Sequence, residues 1–175
     1  MTEIIKKQVV AVLVDNEFGA LARIVELFSA RGCNIETLNV SPITSNKKLS
    51  RITITSYCSD KNIDLICKLL EKIVQVYRAA ELTREFGYIE RELALVKIIG
   101  DQEKRDAAIK IADKYCTHIV DITGDSIVFE IVGTSKTIDD ILDELSKLGL
   151  DGISRTGVVA GFKGDKKLNE LDYQY

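Results

Sequence analysis

Residues 15–20 read Asp-Asn-Glu-Phe-Gly-Ala, placing two carboxylates, an amide and a glycine where an apolar run gives way to helical spacing. A helix starting there presents free backbone N–H groups and the positive end of its dipole at its mouth. That is a seat for a carboxylate. Gly19 lets a ligand approach the backbone with no Cβ in the way, and the Asn16 amide can donate to a carboxylate and accept from an ammonium group. An amino acid carries both charges on one carbon. The loop therefore suits a zwitterion better than a phosphate, which would favour more glycines and a lysine. A plainer origin is available for the same residues: Asn16 as a helix cap and Gly19 as turn relief. Caps are the commoner use of so short a pattern.

A second candidate is Gly32-Cys33-Asn34. Gly32 fits the residue after a helix C-terminus. Asn34 opens a strand, where asparagine is disfavoured, so its amide serves either a turn or a ligand. Across a dimer joined edge to edge, Asn34 of one chain faces the Asn16 loop of the other.

Little else in the chain could carry catalysis. Cys33, Cys58, Cys67 and Cys116 form no C-x-x-C pair or metal-ligand spacing and read as small buried hydrophobes. His118 is the only histidine and there is no tryptophan. No nucleophile–base pair or phosphate-binding glycine loop is present, although Asp15 and Glu17 could be pressed into acid–base roles. A free-standing enzyme is the weaker reading.

The 175 residues are 46% hydrophobic with a formal charge of −3 and a mean hydropathy of +0.04. A packed core is expected, and an acidic chain argues against nucleic acid or an anionic membrane as main partner. No apolar run reaches the roughly 18–20 residues that span a bilayer. The first residues lack a signal-peptide pattern, so a cytoplasmic location is expected.

The elements that position these residues follow from hydrophobic period. Residues 8–14 are β-rich and apolar at both parities, as in a strand covered on both faces. Leu21, Ile24, Val25 and Phe28 have helical spacing, ended by Arg31-Gly32. Ile35 to Val40 forms a second strand, stopped by Pro42. The polar tip Thr44–Lys48 turns the chain, and Ile52 and Ile54 alternate with polar residues in a third strand. Ser59 or Asp60 caps a second helix, with a strand at about 75–82 completing βαββαβ.

The same order recurs: a strand over 92–99, a helix over 101–116, and a hairpin of 119–123 and 126–132 through Gly124-Asp125. A helix capped by Thr134 or Ser135 and ended by Gly149 follows, and then a last strand over 150–159. The fold class is α+β, two tandem ferredoxin-like sandwiches. The expected boundaries are an N-terminal domain 1–83, a linker 84–91, a C-terminal domain 92–164 and a mobile tail 165–175. Units of this size have small cores and open sheet edges. A homodimer is therefore expected, with the apolar first strand near a covered sheet face.

The loop sequence Asp15–Leu21, followed by Leu27-Phe28-Ser29-Ala30-Arg31-Gly32-Cys33-Asn34-Ile35-Glu36-Thr37-Leu38, resembles the ACT domain of the acetolactate synthase (acetohydroxyacid synthase) small subunit. Leu49–Ile54, Glu90–Ile98, Ile119–Ile122 and Ser154–Ala160 resemble later signatures of the same family, so the resemblance runs from about residue 8 to 164. Phe18 stands where the family often has a small residue or proline, and Asn39 where it more often has threonine.

The resemblance implies a regulatory subunit of branched-chain amino-acid synthesis that raises the activity of a large catalytic subunit and confers feedback inhibition, usually by valine. It places Asn16, Gly19 and Ala20 on one wall of the effector site, with Asn34 and Ile35 on the other, across the ACT dimer interface. It implies no cofactor in this chain, with thiamine diphosphate, Mg²⁺ and FAD in the catalytic partner. Arg155, in Arg-Thr-Gly, reads equally as a turn residue and as a partner contact; the tip Thr44–Lys48 and the second domain are further partner candidates. An ACT-type sensor for another enzyme is the nearest alternative. RNA-binding modules share the βαββαβ order, but they stack bases on strand aromatics beside a basic face, and here the first strand has no aromatic.

Overall fold

The computed structural model describes residues 4–83 and 87–168. The first half runs β1 Lys6–Asp15, α1 Ala20–Ala30, β2 Asn34–Pro42, β3 Leu49–Cys58, α2 Asp60–Leu70 and β4 Val76–Glu81. The second runs β5 Tyr88–Ile99, α3 Gln102–Lys114, β6 His118–Ile122, β7 Ser126–Gly133, α4 Ser135–Ser146, β8 Gly152–Arg155 and β9 Val159–Phe162. The order βαββαβ occurs twice, on antiparallel strands ordered β2-β3-β1-β4 and β6-β7-β5-β8, and the additional strand β9 also pairs with β5. The tandem ferredoxin-like architecture is as expected from the period of the sequence.

The chain forms two compact units. One comprises residues up to Ile89 together with those from Val158 onward; the other is Glu90–Gly157.

In the first unit β1 lies between β3 and β4, and it is apolar at both parities because each face of the sheet is covered there. Its even-numbered residues Val10, Val12 and Val14 pack with Ile24 and Phe28 of α1 and Ile63 and Ile66 of α2. Helix α1 stops at Gly32, whose φ of +65° suits glycine; the Arg31 and Gly32 N–H groups turn back to the carbonyls of Phe28 and Ser29. Ser59 caps α2 by accepting from the Asn62 N–H at 3.3 Å, as its sequence position predicts.

The odd-numbered residues of β1 face the other side, and here several expectations are corrected. Val9, Ala11 and Leu13 are fully buried there, in a cluster with Val158, Ala160 and Leu168 from the end of the chain. The second face of β1 is thus covered by the chain's own later residues, so it gives no reason of its own for a dimer. The strand expected over 150–159 is two strands, β8 and β9, separated around Gly157 at φ +75°. The boundary expected at 164 therefore lies at Gly157. The physical reason is apolar burial, which favours hiding a valine or leucine side chain by about 1.5–3 kcal/mol. Leu168, placed in the expected mobile tail, is only 7% exposed. Residues 84–86 of the expected linker and 169–175 of the tail lie outside the described residues.

The second unit repeats the logic. Ala94, Val96 and Ile98 of β5 and Ile127, Phe129 and Ile131 of β7 pack against α3 and α4. Asp101 caps α3 through the Lys104 N–H, and Thr134 caps α4 through the Thr137 N–H. The β6–β7 turn is closed by Thr123, whose Oγ1 donates to Asp125 and accepts from the Ser126 N–H.

Candidate functional site

The Asp15–Ala20 loop leaves the end of β1 and delivers the chain onto the helix-covered face of the first sheet. Asn16 does not cap α1. The cap position is Gly19, in the left-handed region at φ +82°, and no side chain caps the helix. The Ala20 N–H returns to the Glu17 carbonyl at 3.3 Å and the Arg23 N–H to Gly19 at 3.1 Å. Among the described residues nothing accepts from the N–H groups of Leu21 and Ala22. The start of α1 therefore keeps two free donors and the positive dipole end.

Asn16 instead ties the loop to the β2–β3 tip. Its backbone N–H donates to the Lys48 carbonyl at 2.7 Å and its Nδ2 to the Lys47 carbonyl at 2.8 Å. Among the described residues nothing donates to its Oδ1, which leaves an acceptor beside the free N–H groups. Capping, the commoner fate of such an asparagine, would use Oδ1 as the acceptor, but two long-range carbonyls hold Asn16 three residues ahead of the Gly19 cap position. Lys47, at φ +56°, and Lys48 are participants that sequence reasoning assigned only to a polar tip. Nothing local in the sequence signals that their carbonyls meet Asn16.

The other side of the loop is also braced. Tyr77 donates its hydroxyl to the Asp15 carboxylate at 2.8 Å, and the hydrogen bond and the negative charge of Asp15 hold the phenol above its ordinary pKa. Arg23 donates to Gln75 at 3.0 Å, and the Asp15 N–H to the Gln75 carbonyl at 2.8 Å. Phe18 is fully exposed at the loop, and Leu21, Val25 and Val40 are each about two-fifths exposed. Val40 is in register with Ile52, a core residue of the helix-covered face.

Gly19 has open space where a Cβ would stand, so only its backbone conformation resists substitution. Gly19→Ala is expected to destabilise the first unit by about 1–2 kcal/mol, with Gly19→Asn costing less because asparagine tolerates that region. Thermal unfolding of the two variants checks this order.

The remaining expected site residues are not all brought together in one chain. Ala20 is 3% exposed, and its side chain belongs to the core. Asn34 is exposed at the start of β2, its Nδ2 donating to Glu36 at 3.0 Å and its carbonyl accepting from Ser56 at 2.6 Å. Ile35 packs partly buried against the helix-side core. Asn34 pairs with Tyr57 and Tyr57 with Lys7, whereas Asp15 pairs with Leu49. The eight residues from Tyr57 to Leu49 span about 26 Å at roughly 3.3 Å per residue. Asn34 and the Asn16 loop thus occupy opposite ends of the sheet.

Arg155 is not a free cation. Its Nε and Nη2 donate to the two oxygens of Glu92, both at 2.8 Å, and its Nη1 donates to Asp139 at 2.7 Å. The Glu92 side chain is 2% exposed. These carboxylates raise the guanidinium pKa further above its ordinary value. The geometry gives Arg155 a structural role inside the second unit.

Among the described residues no group of three or more His, Cys, Asp and Glu could hold a metal, and no helix is long and apolar enough to cross a membrane.

Comparison with known proteins supplies a family. Residues 10–78 match the AHAS small subunit-like ACT domain, and residues 91–162 match the family described as the small subunit of acetolactate synthase. A probable acetolactate synthase small subunit of Archaeoglobus fulgidus is 35% identical over 161 residues, covering 92% of this chain and 99% of that one. The small subunit of acetolactate synthase isozyme 3 of Escherichia coli is 37% identical, covering 91% and 98%. The crystal structure of the Thermotoga maritima acetolactate synthase small subunit superposes with a TM-score of 0.81 at 28% identity, over 92% of this chain and 99% of that one.

Proposed function

Since the chain belongs to the acetolactate synthase small-subunit family, we propose that it binds a branched-chain amino acid, valine foremost, at the Asn16 loop and thereby sets the activity of a large catalytic subunit. The observation that carries the reading is the separation of Asn34 from that loop across one sheet. A β2 edge paired antiparallel with β2 of a second copy exchanges the two ends. Asn34 of one copy then lies beside the Pro42 end of the other, and Pro42 is in register with Ser50, which pairs with Val14 at the root of the Asn16 loop. Neither wall of the site is complete without the second copy.

The chemistry fits the ligand class. The free N–H groups of Leu21 and Ala22 take the carboxylate, and the Asn16 Oδ1 takes the ammonium group. Leu21, Val25 and Val40 are exposed on the helix side, where the partner copy would cover them, and they offer apolar surface for a branched side chain. The chain itself supplies no catalytic group in this reading. Thiamine diphosphate, Mg²⁺ and FAD belong to the large subunit, and the pair works in the cytoplasm.

Effector binding shifts an equilibrium between an activating and an inhibiting arrangement of the assembly, so valine must bind one of them better. Couplings of this kind are about 1–3 kcal/mol, or roughly 5–150-fold in affinity. The test mixes the full chain with its cognate large subunit and follows acetolactate formation as valine, leucine and isoleucine are titrated. The expected result is a gain on mixing and loss of that gain with valine. No gain on mixing overturns the partner; a gain indifferent to all three amino acids overturns the effector.

A further inference from the structure

The segment that follows β8 has no part in the function just proposed, yet it is held firmly. Val158 is 1% exposed, Ala160 5% and Leu168 7%, against Val9, Ala11, Leu13, Leu49 and Leu82. Two polar pins set its place on the sheet. The Val158 N–H donates to Thr37 Oγ1 on β2 at 3.4 Å, and Arg51 Nη2 on β3 donates to the Ala160 carbonyl at 3.1 Å. The segment therefore bridges the edge strand to its neighbour as well as covering β1.

The Arg51 pin stands close to the Asn16 loop across the sheet, since Arg51 pairs with Leu13 of β1. Two residues before Arg51, Leu49 is buried in the same apolar cluster and pairs with Asp15. Immediately before Leu49 is Lys48, whose carbonyl accepts the Asn16 N–H. Whatever holds Arg51 and Leu49 in place also holds the acceptors that shape the loop.

We propose that Val158–Leu168 is a latch: docked on the β1–β3 face it holds the Asn16 loop in its binding shape. The effector half of this inference rests on the proposed amino-acid site; the loop-shaping half does not. The backbone N–H of Asn16 provides a reporter independent of any ligand, because among the described residues its acceptor is the Lys48 carbonyl.

The test measures exchange of the Asn16 amide and valine affinity in full-length wild type, Ala160→Asp and Arg51→Met. Ala160→Asp drives a charge into the apolar layer, and Arg51→Met removes a pin. The expected result is at least tenfold faster Asn16 exchange and at least fivefold weaker valine binding in both variants. In a chain ending at Gly157, a synthetic peptide of residues 156–168 added in trans restores the exchange protection. If Ala160→Asp fails to fold, Arg51→Met alone decides. Wild-type exchange and wild-type affinity in a folded variant overturn the latch. Failure of wild type to bind valine overturns the effector reading instead, and the exchange measurement still decides the latch.

Discussion

Replacing Arg155 with methionine is expected to destabilise the 90–157 unit by about 2–4 kcal/mol, because it leaves the Glu92 carboxylate buried without its charge partner. The figure sits toward the lower end for a broken buried pair, since the Arg155 side chain is 30% exposed and water reaches part of the site. The melting midpoint should fall by roughly ten to thirty degrees for a unit of this size. Arg155→Lys should fall between the two, because an ammonium group keeps the charge but cannot reproduce the planar fork that meets both Glu92 oxygens. The double variant Arg155→Met with Glu92→Leu should recover most of the loss, since the cost lies in the orphaned carboxylate rather than in the absent cation. A loss below 0.5 kcal/mol for the single variant would remove the structural role given to Arg155. Methionine variants that fold normally but no longer raise catalytic-subunit activity would return it to the partner surface.

The second large effect concerns the shared effector site. Asn16→Ala and Asn34→Ala homodimers should each lose valine binding by about ten- to a hundredfold, the scale of one hydrogen bond to a charged group. Mixed dimers should behave differently. A chain carrying Asn16→Ala paired with one carrying Asn34→Ala assembles one site with both asparagines missing and one with both present. Random pairing of the two variants in equal amounts makes about half of the dimers mixed. Tight sites should then return to about one quarter of the wild-type number in a calorimetric titration. A site contained within one chain would give no recovery at all, so an absence of tight sites in the mixture would overturn the intersubunit arrangement. Because the Asn16 amide also braces Lys47, a parallel check of dimer mass guards against reading lost assembly as lost binding.

Much of the fold was open to reading from local pattern. Helix ends obey side-chain chemistry close in sequence: Ser59 and Thr134 cap as their positions predict, and Gly32 turns the chain where a Cβ would strain it. Repetition of βαββαβ follows from the alternation of helical and extended periods. The motif residues that resemble the small-subunit family run the length of the chain, and the comparisons bear out that resemblance.

Other features were decided only by contacts distant in sequence. Residues 8–14 announce a strand covered on both faces, but they cannot say what covers the second face. The answer, Val158, Ala160 and Leu168, lies some 150 residues away. Asn16 could offer its Oδ1 to a helix start or its N–H groups to a tip loop, and the choice was made by where the Lys47 and Lys48 carbonyls fall once β1 and β3 are in register. Arg155 looks like a free cation until Glu92 and Asp139 are brought beside it.

The sequence by itself therefore determined the repeated βαββαβ order, the caps at Ser59 and Thr134 and the family, because these depend on interactions within a few residues. The tertiary structure decided which donors the loop spends internally, which cation is structural and which segment closes the first sheet. Those outcomes depend on strand register and on the burial of apolar side chains far apart in the chain, and no local period encodes either.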